Sequence, residues 1–129
     1  MKKIALGVRI VLGLIFFVFG LNGFLNFIPQ PAGLPEAATS YMGALFATGY
    51  FFPVLKVTEI LCGAALLSGY FVPLALVILA PITIQIFLFH FMLTPGMWAM
   101  ALAILCLHAF LGWQYLPAYK TLLQPKTKI

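Results

Sequence analysis

The chain has 129 residues, of which 64% are hydrophobic and 7% are charged. Soluble domains average about 45–50% apolar and about 25% charged residues, and a domain this small has too little interior to hide the excess apolar surface. The composition therefore excludes a soluble enzyme, a nucleic-acid-binding domain and a disordered segment. It indicates an integral membrane protein, with a single domain over residues 1–129.

The charge is strongly basic, with seven Lys and Arg residues against two acidic residues and a net charge of +5. Basic residues that flank membrane spans mark the cytoplasmic side. Here six of the seven lie near the two ends of the chain: Lys2, Lys3, Arg9, Lys120, Lys126 and Lys128. Both termini are therefore predicted to be cytoplasmic (N-in and C-in), and this requires an even number of spans.

Four apolar segments are long enough to cross a hydrocarbon core about 30 Å thick, which takes about 20 helical residues. They cover residues 5–28, 53–72, 73–93 and 97–116. The links between the last three are short and contain Gly and Pro, so neighbouring helices are expected to be antiparallel. The predicted fold is an all-α membrane protein, an antiparallel bundle of four transmembrane helices.

The longest connection, residues 29–52, follows the first span on the outer side. Over residues 35–48 its pattern becomes helical, because Tyr41, Met42 and Leu45 fall on one apolar face. Gly49 then ends the pattern. The sequence predicts a short amphipathic helix at the outer interface, between spans one and two.

Lys56 and Glu59 are the only charged residues within the second span. Charges inside a membrane are costly and are functional candidates by default. The two residues are three apart and share a helix face. A purely structural pair that neutralises itself remains an alternative, but both residues are candidates for catalytic roles.

Several uncharged polar residues are predicted at the same depth as this pair. Asn22 and Asn26 lie near the outer end of span one, and Gln85 and His90 in the outer half of span three. Together they predict a polar pocket that opens outward, with His90 as a third catalytic candidate and Asn22, Asn26 and Gln85 as substrate-binding candidates. Hydrogen bonds between helices are the alternative for each Asn and Gln.

His108 lies near the middle of the fourth span and is a further substrate-binding candidate, although a histidine bonded to a neighbouring carbonyl is the plainer interpretation. Its depth differs from that of His90 by about 10 Å or more at 1.5 Å per residue, so no shared metal site is predicted. Cys62 and Cys106 have neither redox nor metal spacing, and we expect unbridged thiols.

The order of these motifs resembles that of the DoxX family. Arg9-x2-Leu12-Gly13 followed by Gly20-Leu21-Asn22-Gly23-Phe24 is similar to its first span. Gly49-Tyr50-Phe51-Phe52-Pro53 and Lys56-x2-Glu59-x3-Gly63 are similar to its second span, and Gly69-x3-Pro73-Leu74-Ala75 to the turn that follows.

The resemblance implies four membrane helices, with Glu59 and Arg9 matching the family's acid and early arginine. Many relatives carry a lysine where this chain has Gly23. A function that needs that lysine cannot be carried by Gly23. Lys56 is predicted at a similar depth and is the candidate to supply the amine instead.

The resemblance also implies a protein of the bacterial cytoplasmic (inner) membrane that acts in quinone-linked redox chemistry or in thiol or quinone stress responses. A quinone is then the implied cofactor, and an oxidoreductase activity is an open question. Alternatives are a non-enzymatic scaffold or assembly partner and a small-solute or proton transporter, and the lack of an internal repeat counts against the transporter. The expected partners are the lipid bilayer and a redox protein, with a homodimer left open and nucleic acid excluded.

Reporter fusions test the predicted topology. A reporter at the C-terminus should report the cytoplasm, whereas one inserted within residues 29–48 should report the exterior, because the basic residues hold both termini inside. A C-terminal reporter active on the outside would contradict the four-span arrangement.

Overall fold

The computed structural model describes residues 2–25, 33–94, 96 and 98–126, and these residues form helices and no strand. In chain order the α-helices are α1 (Lys2–Leu25), α2 (Glu36–Ala47), α3 (Phe51–Ser68), α4 (Val72–Leu93) and α5 (Trp98–Gln114). A short 3-10 helix, Leu116–Tyr119, follows α5. The chain is therefore all-α over the part described, as the sequence predicts.

Three of these helices, α1, α3 and α4, are long and apolar enough to cross a membrane by length and composition. The fourth predicted span is α5, which is apolar but has 17 residues. At 1.5 Å per residue it is about 26 Å long, which is the lower limit for a hydrocarbon core of about 30 Å. The helix predicted over residues 35–48 is present as α2.

The helices α1 and α3 approach each other so closely that glycine is required at their contact. A Cβ on Gly20 would lie 2.7 Å from Ile60 Cγ1, and one on Gly63 would lie 2.6 Å from the backbone nitrogen of Phe17. A Cβ on Gly13 would lie 3.1 Å from the carbonyl oxygen of Gly63. Since contacts late in α1 fall early in α3, the two helices run antiparallel.

The other helices complete the bundle. The helix α4 packs against α3 and α5, α5 also packs against α1, and α2 packs across α3 and α4. Their shared interior is apolar and draws on α1, α3, α4 and α5. Its buried residues are Leu12, Phe16, Cys62, Leu66, Val72, Ala75, Leu76, Leu79, Ile104 and Leu111.

A three-residue turn joins α3 to α4. Gly69 ends α3 with a φ of 84°, and Phe71 precedes α4 with a φ of 56°. The Tyr119 hydroxyl donates to the carbonyl of Pro73 at 2.8 Å, and burial raises the pKa of this phenol above its ordinary value. The start of α4 and the segment after α5 therefore meet at the end of the bundle where α1 begins.

The outward surface of the helices is largely apolar. Leu61 and Ile84 are 65% and 51% exposed, and such side chains suit hydrocarbon rather than water. Cys62 is a buried free thiol, whereas Cys106 is an exposed one.

The contact between α1 and α3 gives a stability prediction. Gly63→Ala should lower the free energy of unfolding by about 1–3 kcal/mol, because the added methyl group meets backbone atoms that cannot turn aside. Gly112→Ala is the matched control, since a Cβ at Gly112 meets nothing within 4 Å and alanine is the better helix former. Thermal unfolding in detergent measures both variants, and equal melting temperatures would contradict the close packing.

Candidate functional site

Lys56 and Glu59 form an ion pair within α3. The Lys56 ammonium nitrogen lies 3.3 Å from Glu59 Oε2, and the exposed fractions of the two side chains are 22% and 5%. The spacing of three residues places both on one side of the helix. The acid is therefore buried with its charge partner on the same helix, and the ammonium is the more accessible of the two groups.

Gly23 of α1 makes room for the lysine. A Cβ on Gly23 would lie 2.6 Å from Lys56 Cδ and 3.0 Å from Cε. The aliphatic stem of Lys56 therefore occupies the space that a side chain at position 23 would fill. A lysine on α3 takes up this space, where the resemblance places a lysine on α1.

A cavity of about 180 Å³ opens beside this lysine. It lies where the end of α1, the end of α2 and the start of α3 meet. Its lining is mostly aromatic or lacks a side chain, and Lys56 is its one charged member: Gly23, Phe24, Phe46, Gly49, Phe52, Pro53 and Lys56. The rings of Phe46 and Phe52 pack at a centroid distance of 5.4 Å. The arrangement suits a flat, apolar group that accepts a hydrogen bond.

The outer polar residues of α4 do not line this cavity. The Nδ1 atom of His90 lies 2.8 Å from the carbonyl oxygen of Ile86. Gln85 is exposed, and its amide donates to the Tyr41 hydroxyl at 2.6 Å. Gln85 therefore links α2 to α4 through a hydrogen bond. The roles predicted for Gln85 in substrate binding and for His90 in catalysis stay predictions.

The two predicted asparagines differ in what the structure describes. Asn22 is half-buried and directly precedes Gly23 near the end of α1. Asn26 lies outside the described residues. A binding role for either stays a prediction.

His108 belongs to a separate buried network between α4 and α5. Its Nε2 atom lies 2.9 Å from the carbonyl oxygen of Leu76, and its Nδ1 atom lies 2.7 Å from Thr83 Oγ1. Because a carbonyl only accepts, Nε2 carries a proton, and in a neutral ring Nδ1 then accepts from the hydroxyl. Both ring nitrogens are thus engaged inside the protein. The described residues contain no group of three or more potential metal ligands.

Sequence reasoning did not single out Phe24, Phe46 and Phe52, although they form the wall of the cavity. Two of them stand in motifs already noted, Gly20-Leu21-Asn22-Gly23-Phe24 and Gly49-Tyr50-Phe51-Phe52-Pro53. In the sequence, Phe24 directly follows Gly23 and Phe52 directly precedes Pro53, but neither neighbour shows that the rings meet.

Comparison with known proteins finds one family. The family model DoxX matches residues 4–91, which include most of α1 and α4 and all of α2 and α3. Lys56, Glu59 and every residue that lines the cavity fall within this range. No curated protein and no solved structure matches the chain.

The ion pair gives a second stability prediction. Lys56→Met keeps the stem that packs on Gly23 but leaves Glu59 as an uncompensated buried charge, and should cost about 3 kcal/mol of unfolding free energy. Glu59→Gln should cost less, because the partly exposed lysine can extend to the interface. The double variant should be more stable than Lys56→Met alone, since neither charge remains uncompensated.

Thermal unfolding of the three variants in detergent completes this double-mutant cycle. Lys120→Met, at an exposed residue, controls for the loss of one positive charge. Strictly additive losses would show that the two residues act independently.

Proposed function

This chain belongs to the DoxX family, and we propose that it is a quinone-linked redox component of the bacterial cytoplasmic membrane. We place it there with four spans, α1, α3, α4 and α5, and with both termini in the cytoplasm. The observation that carries the proposal is the aromatic cavity that contains the Lys56 ammonium beside the buried Glu59.

The cavity suits a quinone head group in shape and polarity. Aromatic rings pack well on a flat ring system, and the lysine supplies a donor for a carbonyl oxygen. About 180 Å³ is less than the ~300–1,000 Å³ of sites for drug-sized ligands, so it accommodates one ring and leaves an isoprenoid tail outside. Phe46, at 75% exposure, stands at an opening from which such a tail extends along the apolar surface.

The ion pair supplies the polar chemistry of this proposal. Reduction of a quinone to a quinol takes up two electrons and two protons. Lys56 is positioned to donate a hydrogen bond, and then one proton, to a carbonyl oxygen in the cavity. Glu59, 3.3 Å from its nitrogen, stabilises the ammonium form as a carboxylate and has no proton of its own to pass on, so the second proton and the one that restores the lysine are assigned to water that reaches the partly exposed Lys56. The sequence has no motif for an electron carrier, so the electrons are assigned to a partner protein or a second substrate.

The glycine contacts weaken the scaffold alternative. A scaffold protein needs faces of small residues that can receive a partner helix, but Gly13, Gly20 and Gly63 are used between α1 and α3 of the same chain. They are therefore not free to dock a partner. The redox role remains the stronger proposal.

Quinone binding tests the proposal. Purified protein in detergent should bind a short-chain ubiquinone, and Phe52→Ala should weaken its Kd about three- to tenfold, because one stacking ring is lost. Phe91→Ala is the matched control, since Phe91 is exposed on α4 and stacks on Phe87 outside the cavity. Equal effects of the two substitutions would contradict a head-group site in the cavity.

The role of the pair is tested in cells under quinone stress. Lys56→Met and Glu59→Gln should impair resistance to a similar degree, and the double variant should be no worse than either single one. Full resistance in Glu59→Gln with normal stability would show that the acid is structural. The scaffold alternative would then take precedence.

A further inference from the structure

A second cavity, of about 210 Å³, lies at the opposite end of the bundle. It is bounded by the first turns of α1 and the last turn of α5. Its lining residues are Lys2, Ala5, Leu6, Arg9, Gln114 and Tyr115. Nothing in the proposed quinone site involves them.

The polar groups of this cavity are rich in hydrogen-bond donors. Lys2 and Arg9 carry positive charges and only donate, and the Gln114 amide and the Tyr115 hydroxyl supply further donors. No acidic residue lines it, and of the two acids in the chain, Glu59 is already paired with Lys56. The cavity therefore has an uncompensated positive charge and fits an anion.

The Arg9 side chain packs against α3, but one of its hydrogen-bond donors has no partner. The guanidinium of Arg9 lies against Gly69 at the C-terminal end of α3: a Cβ on Gly69 would be 3.0 Å from Arg9 Nη1. The partial negative charge of a helix C-terminus favours a cation there. The Nε atom of Arg9 is nonetheless buried and has no hydrogen-bond partner among the described residues. A buried donor left without a partner is costly, so a rotation of the Arg9 side chain that turns this nitrogen toward an acceptor in the cavity would be favourable.

The surroundings identify the class of anion. Exposed apolar side chains flank the cavity on both helices, with Leu6 and Ile10 on α1 and Trp113 on α5. Charged donors beside an apolar, membrane-facing surface match a phosphate that is attached to acyl chains, and basic pockets between membrane helices bind phospholipid head groups. We propose that this cavity binds the phosphate group of an anionic phospholipid from the adjoining leaflet.

Native mass spectrometry of the full-length protein, titrated with phosphatidylglycerol in detergent, tests the proposal. Arg9→Gln and Lys2→Gln should each weaken the Kd about tenfold, because each removes a charge-assisted hydrogen bond. Lys120→Gln is the matched control: it removes the same charge from an exposed residue outside the cavity and should change the Kd less than twofold. Equal weakening in all three variants would overturn the site in favour of diffuse surface attraction.

A competition with inorganic phosphate and a fallback variant complete the test. Inorganic phosphate, added at the lipid's concentration, should not displace phosphatidylglycerol, and full displacement would assign the site to free phosphate instead. Arg9→Gln also removes a side chain that packs on Gly69. If that variant does not fold, Lys2→Gln decides the question, because Lys2 is exposed, and an unchanged Kd in Lys2→Gln would then overturn the proposal.

Discussion

Where Gly63 of α3 meets Phe17 of α1, two helix backbones touch with no side chain between them. Without a difference in polarity between protein interior and lipid, membrane helices associate through such close van der Waals packing. This contact fixes the register in which the start of α3 faces the end of α1. The stem of Lys56 consequently lies across Gly23.

Close packing inside the bundle also bears on where the two cavities described above lie. The interior is filled by apolar side chains and by the satisfied His108 network. The two cavities are therefore at opposite ends of the bundle and differ in chemistry. One combines aromatic rings with a paired lysine, and the other combines cations with no acid.

The positions of the helices could be predicted from the apolar runs, because a span of about 20 such residues has few other structures open to it. The spacing of Lys56 and Glu59 likewise predicts their contact. Which face of α4 points inward could not be predicted. Nearly all of that helix is apolar, so no contrast marks a face, and Gln85 lies exposed on it.

The aromatic cavity was beyond prediction for another reason. Phe24, Phe46 and Phe52 belong to three different helices, and their meeting depends on how α2 crosses the bundle. Residues that are local in sequence, such as those of an ion pair on one helix, carry their own geometry. Residues brought together by crossing angles do not.

The short turn between α3 and α4 has a consequence for changes in chain length. Each residue in a helix advances its rotation by about 100°, at 3.6 residues per turn. With three residues between Ser68 and Val72, and with Gly69 and Phe71 both in the left-handed region, the turn has no slack to absorb an insertion. One added or deleted residue would rotate α4 and carry Thr83 and the Leu76 carbonyl away from His108. A substitution at Tyr70 leaves this geometry intact, whereas an insertion or a deletion in the turn does not.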